Sequence, residues 1–171
     1  PARQVDFLQN DKIDQFSQEL RLAGETGLAE WIVGLFYSHD EVTVFTPGNH
    51  LDLFATQTVI NADQETDAAA VFANVDWTLV DRLTLVTGLR YTWEERSYVG
   101  GTTDLNPLGA SFLCTPAGLC PPGVPGPVAL SFIDAEIDDS NLTGKVALEF
   151  EPTERSLIYA SIAHGRKSGG F

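Results

Sequence analysis

Between Ala69 and Leu79 the chain alternates strictly, and that alternation limits its fold more than any other feature. Ala69, Val71, Ala73, Val75, Trp77 and Leu79 form one wholly apolar set. Ala70, Phe72, Asn74, Asp76 and Thr78 form the other. A helix would mix the two sets around its surface, whereas a strand sends them to opposite faces. The same sorting recurs. Leu83, Leu85, Thr87, Leu89, Tyr91 and Trp93 interleave with Thr84, Val86, Gly88, Arg90, Thr92 and Glu94. Leu142, Gly144, Val146, Leu148 and Phe150 interleave with Thr143, Lys145, Ala147 and Glu149. Trp31, Val33, Leu35 and Tyr37 alternate with Ile32, Gly34, Phe36 and Ser38. Phe16 to Leu22 alternates less cleanly, and Leu157 to Ala163 is apolar on both faces, so its facing is left open. The pattern predicts an all-β fold, an antiparallel up-and-down meander of about six strands.

The connections come in two lengths that take turns. Short turns fall at Gly24–Gly27, Val80–Arg82 and Pro152–Glu154. Long connections are expected from about Asp40 to Gln64 and from about Ser97 to Asp139. The second holds Gly100-Gly101, Asn106-Pro107 and the prolines from Pro121 to Pro127, a density no central strand tolerates. In an up-and-down barrel every second connection lies at the same rim, and outer-membrane barrels keep one rim short and the other long. A soluble sandwich has no reason to sort its loops in this way. Trp77 precedes one short turn and Trp31 follows another, the depth at which amphipathic rings sit at a membrane boundary. Tyr37, Tyr91 and Trp93 are placed for the opposite boundary.

No stretch reaches the roughly 18 consecutive apolar residues of a membrane helix, which does not count against strands whose lipid-facing residues alternate with polar ones. The net charge is −14, so nucleic acid is an unsuitable partner. About six strands fall short of the roughly eight of the smallest membrane barrels, and an open sheet edge in lipid leaves backbone groups unpaired. The chain, which contains no Met, is therefore expected to be a piece of a larger transmembrane barrel, residues 1–171 forming one partial barrel domain.

A family resemblance rests on several segments. Phe16-Ser-Gln-Glu-Leu-Arg-Leu22 followed by Trp31-Ile-Val-Gly-Leu-Phe-Tyr37 resembles the opening barrel strands of TonB-dependent receptors. So does Ala70-Val-Phe-Ala-Asn-Val-Asp-Trp77 with Leu83-Thr-Leu-Val-Thr-Gly-Leu-Arg-Tyr91. Ser156 to Phe171 resembles the family strand that ends in a glycine-rich, Lys-containing turn, although the family more often has an aromatic where Arg166 stands. The resemblance implies a barrel of about 22 strands in the bacterial outer membrane, plugged by an N-terminal domain. It also implies active uptake of a scarce nutrient such as a ferric siderophore, a cobalamin-like cofactor or a glycan. Implied partners are outer-membrane lipid, a small nutrient ligand, and the TonB complex through an N-terminal region not contained in this chain. Other readings are a porin or adhesin-like barrel, or a soluble secreted β-sheet binding module.

The residues show no catalytic constellation and no cofactor site, so no enzyme is expected. Counted from Asp134, the sixth and twelfth places of a calcium loop hold Asp139 and Lys145 instead of Gly and Glu. The run Asp134, Glu136, Asp138 and Asp139 reads instead as a solvated loop, and no metal site is expected. His39, His50 and His164 show no paired spacing. Gly165-Arg166-Lys167-Ser168 lacks the glycine spacing of a phosphate loop. Glu19, Arg21, Asn74, Asp76, Arg90, Glu94, Lys145 and Glu149 are expected to face the lumen. Phe45, His50, Phe54, Arg96, Tyr98 and Phe112 fall on the long connections and are candidate ligand contacts. Cys114 and Cys120 stand close together in a Pro/Gly-rich stretch and are candidates for a disulfide, against a free pair or a metal site.

Overall fold

The computed structural model describes residues 5–167 and 169–170. It contains β1 (Asp6–Phe7), β2 (Asn10–Thr26), β3 (Ala29–His50), the single helical turn α1 (Leu51–Phe54), β4 (Thr56–Val80), β5 (Leu83–Asp104), β6 (Val128–Thr153) and β7 (Ser156–His164). All seven strands belong to one sheet, in the order β1-β3-β4-β5-β6-β7, with β2 also paired to β3. Sequential neighbours pair throughout this path from β3 onward, as an antiparallel meander requires.

The residues divide into two compact units. One holds residues 1–15, 40–65 and 96–136; the other holds 16–39, 66–95 and 137–171. The second, the wall unit, contains all three tight turns, at Gly27-Leu28, Asp81-Arg82 and Glu154-Arg155. Gly27 (φ 61) and Arg82 (φ 66) supply the left-handed backbone that a two-residue hairpin turn needs. Arg82 also ties neighbouring turns together. Its guanidinium donates to the Pro152 carbonyl at 3.1 Å, and its own carbonyl accepts from Glu151 N–H at 2.9 Å.

The wall unit has no apolar interior. Many of its larger hydrophobics lie on one face and are open, with Ile162 76%, Leu20 69% and Leu35 58% exposed. The only apolar residues buried in it, among the described residues, are Ala70 and Ala147. The β6–β7 register settles the facing that the sequence leaves open. Val146 lies opposite Ile162, Leu148 opposite Ala160 and Phe150 opposite Ile158. Directly opposed residues share a face, so Ile158, Ala160 and Ile162 join the apolar one. Ala163, Ser161 and Tyr159 oppose Lys145, Ala147 and Glu149 on the polar one.

The first unit, the loop unit, corrects the expected long connections. β3 continues to His50 and β4 begins at Thr56, so only Leu51–Ala55 lies outside strands where a connection from about Asp40 to Gln64 is expected. Similarly β5 runs to Asp104 and β6 starts at Val128, leaving residues 105–127 as the connection. Asp134, Glu136, Asp138 and Asp139 thus stand on β6 and not in a loop. The physical reason is that Thr43, Val44, Thr56, Thr58, Val59 and Ile60 are β-branched and extend the strands, while six of the nine prolines fall within 105–127. β1 adds to β3 at the pairs Asp6–Asn49 and Phe7–Gly48.

Candidate functional site

In the wall unit the polar face gathers several of the residues singled out above. Glu19, Arg21, Asn74, Arg90 and Lys145 line one open recess of about 410 Å³. Glu19 and Arg21 form an ion pair two residues apart on β2. The Arg90 guanidinium stands 5.0 Å from the Phe36 ring centre and 5.8 Å from that of Phe72, and its Nε donates to Thr92 Oγ1 at 3.2 Å. Cation–π contact of this kind holds the charge at a fixed place on the sheet. Gly34 makes room for the Phe72 ring, which occupies the space a Cβ there would need. Asp76 lines a separate recess with Glu25, Glu30 and Asn74. Glu94 lines a third with Tyr37, Asp67 and Trp93. Glu149 stands opposite Tyr159.

The other face of the wall unit is greasy at its centre and has aromatic residues near both ends. Trp77 Nε1 donates to Thr87 Oγ1 at 3.2 Å, and Trp31 Nε1 to Thr26 Oγ1 at 3.4 Å. Each of these indoles, close to a tight turn, thus satisfies its polar atom within the sheet, with the Trp77 ring exposed and the Trp31 ring half-buried over Gly24. Toward the opposite strand ends, Tyr91 and Trp93 pack edge to face at 4.5 Å, and Tyr37 donates to Asp67 at 2.7 Å. Between these bands Ala73, Val75, Leu89, Leu142, Val146 and Ile162 line a shallow apolar recess.

The loop unit is built in the opposite manner. Its interior is polar and centres on Asp104, which is fully buried. Thr56 Oγ1 donates to one carboxylate oxygen, and Asn106 N–H donates to the same oxygen at 2.8 Å. Ser111 Oγ donates to the other at 2.5 Å. Asn106, also buried, extends the network: its side chain donates to the Val124 carbonyl at 3.1 Å and accepts from Ser111 N–H at 3.1 Å. Four hydrogen-bonding residues from three parts of the chain therefore fix the 105–127 connection to β4 and β5. The segment 114–120 is closed by a disulfide between Cys114 and Cys120, with Cα atoms 5.4 Å apart, and both cysteines are buried. Phe112 N–H donates to the Phe54 carbonyl at 2.9 Å, which joins this connection to α1.

The candidate ligand contacts separate here. Phe112 is 65% exposed and Phe45 43%, whereas Phe54, Arg96 and Tyr98 are half-buried. His50 is buried: its ring packs edge-on against Phe7 at 4.8 Å and Phe54 at 6.3 Å, and its Nε2 lies 3.0 Å from Thr58 Oγ1. In this arrangement His50 is part of the packing and presents no face to a ligand. Gly48 leaves the space that Phe7, His50 and Thr58 fill, since a Cβ there would stand within 2.8 Å of all three. On β2, hydrogen bonding to Asp14 at 2.5 Å and the charge of that carboxylate raise the Lys12 ammonium pKa above its ordinary value. Thr56, Asp104 and Ser111 are the residues that the sequence reading missed. The only local signal was Asp-x-Asn-Pro, a turn-opening pattern in which side-chain oxygens cap backbone N–H groups.

An antiparallel meander that exposes one apolar face, edges it with aromatics and turns charged groups to the other is the wall of an outer-membrane β-barrel. A family model described as TonB dependent receptor-like, beta-barrel, matches residues 2–171, and the chain belongs to that family. Its place is the bacterial outer membrane. The ferric yersiniabactin uptake receptor FyuA from Yersinia pestis has a similar fold, with a TM-score of 0.71 at 14% identity over 94% of this chain. The chain spans 22% of the length of that receptor. Among curated protein sequences none matches it.

Proposed function

We propose that this chain is a wall segment of an active transporter that takes up a scarce nutrient, such as a ferric siderophore, across the outer membrane. The observation that carries the proposal is the pairing of an exposed apolar wall face with a loop fixed by buried polar bonds and a disulfide. A lipid-facing wall needs the first, and function concentrates on loops held by a rigid scaffold. Family membership and the fold shared with a ferric yersiniabactin uptake receptor support the same reading. In it, Glu19, Arg21, Asn74, Asp76, Arg90, Glu94, Lys145 and Glu149 face the lumen, the tight turns are periplasmic and residues 105–127 are extracellular. The TonB complex engages the transporter through a region outside this chain, and outer-membrane lipid covers the Val71, Val75 and Trp77 side. The acidic balance disfavours nucleic acid.

The test uses the intact receptor in its own cells. Deleting its gene, or disabling the TonB complex, is expected to abolish high-affinity uptake of its nutrient to the same extent. Uptake that persists unchanged without the TonB complex makes the barrel a passive pore. Topology is read separately with Ala110→Cys, an exposed position in a chain whose native cysteines are both bonded. An impermeant thiol reagent is expected to label it on whole cells. Labelling only after the outer membrane is disrupted reverses the assigned sidedness.

A further inference from the structure

From Leu105 to Ile133 the chain carries no Asp, Glu, Lys, Arg or His, although its net charge over 171 residues is −14. The adjacent Asp104 does not supply a charge to the surface. Its carboxylate is buried and both oxygens accept from Thr56, Asn106 and Ser111. What the 105–127 connection shows to solvent is apolar: Leu108 is 64% exposed, Phe112 65%, Leu119 50% and Val124 52%. These side chains stand on a fixed backbone. Thr115 N–H donates to the Ser111 carbonyl at 3.2 Å, Leu119 to Cys114 at 2.9 Å and Gly123 to Gly109 at 2.7 Å, and the disulfide closes the segment.

Apolar side chains held in water on a rigid frame mark a binding surface more often than an accident of packing. Because the frame is already ordered, little conformational entropy remains to be lost on binding. The charge pattern then limits the occupant. An anion finds no cation on this loop, and in the rest of the chain Asp and Glu outnumber Lys and Arg by 24 to 10. A cation finds no carboxylate there to replace its water. We infer that the 105–127 loop selects a nutrient that is uncharged overall and presents apolar surface, with Leu108, Phe112, Leu119 and Val124 as its contacts. The inference rests on the uptake reading above and adds the ligand class to it.

Two ferric complexes of opposite character test it: a neutral ferric tris-hydroxamate and a trianionic ferric tris-catecholate. The intact receptor, carrying Ala110→Cys labelled with an environment-sensitive fluorophore, is titrated with each in lipid nanodiscs at low and high salt. The neutral complex is expected to bind, with an affinity that changes less than about twofold with salt, because no exposed charge pair is there to be screened. Phe112→Ser is expected to weaken it about tenfold or more, and Phe112→Leu to restore most of the loss. Tighter, salt-sensitive binding of the trianion, no binding of the neutral complex, or indifference to Phe112→Ser overturns the inference. Iron uptake by TonB-competent cells is measured in parallel. Binding of the neutral complex without uptake defeats the transport reading alone and leaves the ligand class standing.

Discussion

The two units of this chain solve the problem of stability in opposite ways. The wall unit leaves many of its large hydrophobics outside and, among the described residues, buries only Ala70 and Ala147 of its apolar ones. The loop unit buries polar groups, with Thr56, Asp104, Asn106 and Ser111 at or near complete burial, and adds a covalent link beside them. The difference follows from the solvent each must live in. In lipid there is no hydrophobic force to gather apolar side chains inward, and the sheet needs only to satisfy its backbone and keep charge off the outer face. In water a short, proline-rich segment cannot assemble an adequate apolar core. It holds its shape by saturating one carboxylate with donors and by shortening the list of conformations open to the unfolded chain.

Five substitutions or treatments would break this contrast or sharpen it. The largest effect is expected from Val71→Arg, which places a charge on the lipid side: about 2–4 kcal/mol near the bilayer centre. Asn74→Arg, on the polar face, should cost far less, as read by urea-driven unfolding of the intact receptor from vesicles. Equal costs for the two would mean that the faces are assigned wrongly. Asp104→Ala comes next. It strands the Ser111 hydroxyl and leaves the Thr56 hydroxyl and the Asn106 N–H only their longer bonds, to the Gln57 carbonyl and to Thr56 Oγ1, a loss on the order of 2–3 kcal/mol confined to the loop. Hydrogen exchange across residues 105–127 should quicken while the wall amides keep their protection.

Reduction of Cys114–Cys120 removes the constraint of a short ring, worth about 2 kcal/mol by the chain-entropy account. Limited proteolysis should then cut within 111–120 with no change in barrel heat-resistance on a gel. A wall that loosens together with the loop would contradict the separation of the two units. The smallest effect is reserved for Trp77→Phe, which keeps the ring but drops the hydrogen bond to Thr87 Oγ1: about 0.5–1.5 kcal/mol. The same vesicle titration measures it.

The wall was legible in the sequence because its cause is local. Facing along β4 and β5 follows from residues two apart, and no partner is needed to read it. The last strand was not legible for the same reason in reverse. Leu157 and Tyr159 make one set apolar, Ile158 and Ile162 the other, so only the register against β6 decides. The strand extension to Asp104 was missed because Gly100-Gly101 read as part of the connection, although hairpin pairing carries it on as strand. The Asp104 network was hidden most deeply. Thr56 and Asp104 are far apart in the chain, and neither a lone threonine nor a lone aspartate announces that the other will be brought to it. His50 illustrates the converse: a histidine in an expected loop invites a binding role, and the fold instead closes Phe7 and Phe54 around it.

All three indoles of the chain, Trp31, Trp77 and Trp93, fall in the wall unit, and none falls in the loop unit. Ultraviolet emission from this stretch is therefore a depth gauge for the bilayer and is blind to events at the 105–127 loop. Bromine atoms placed at chosen positions along lipid tails should dim the Trp31 and Trp77 signals from one leaflet and the Trp93 signal from the other.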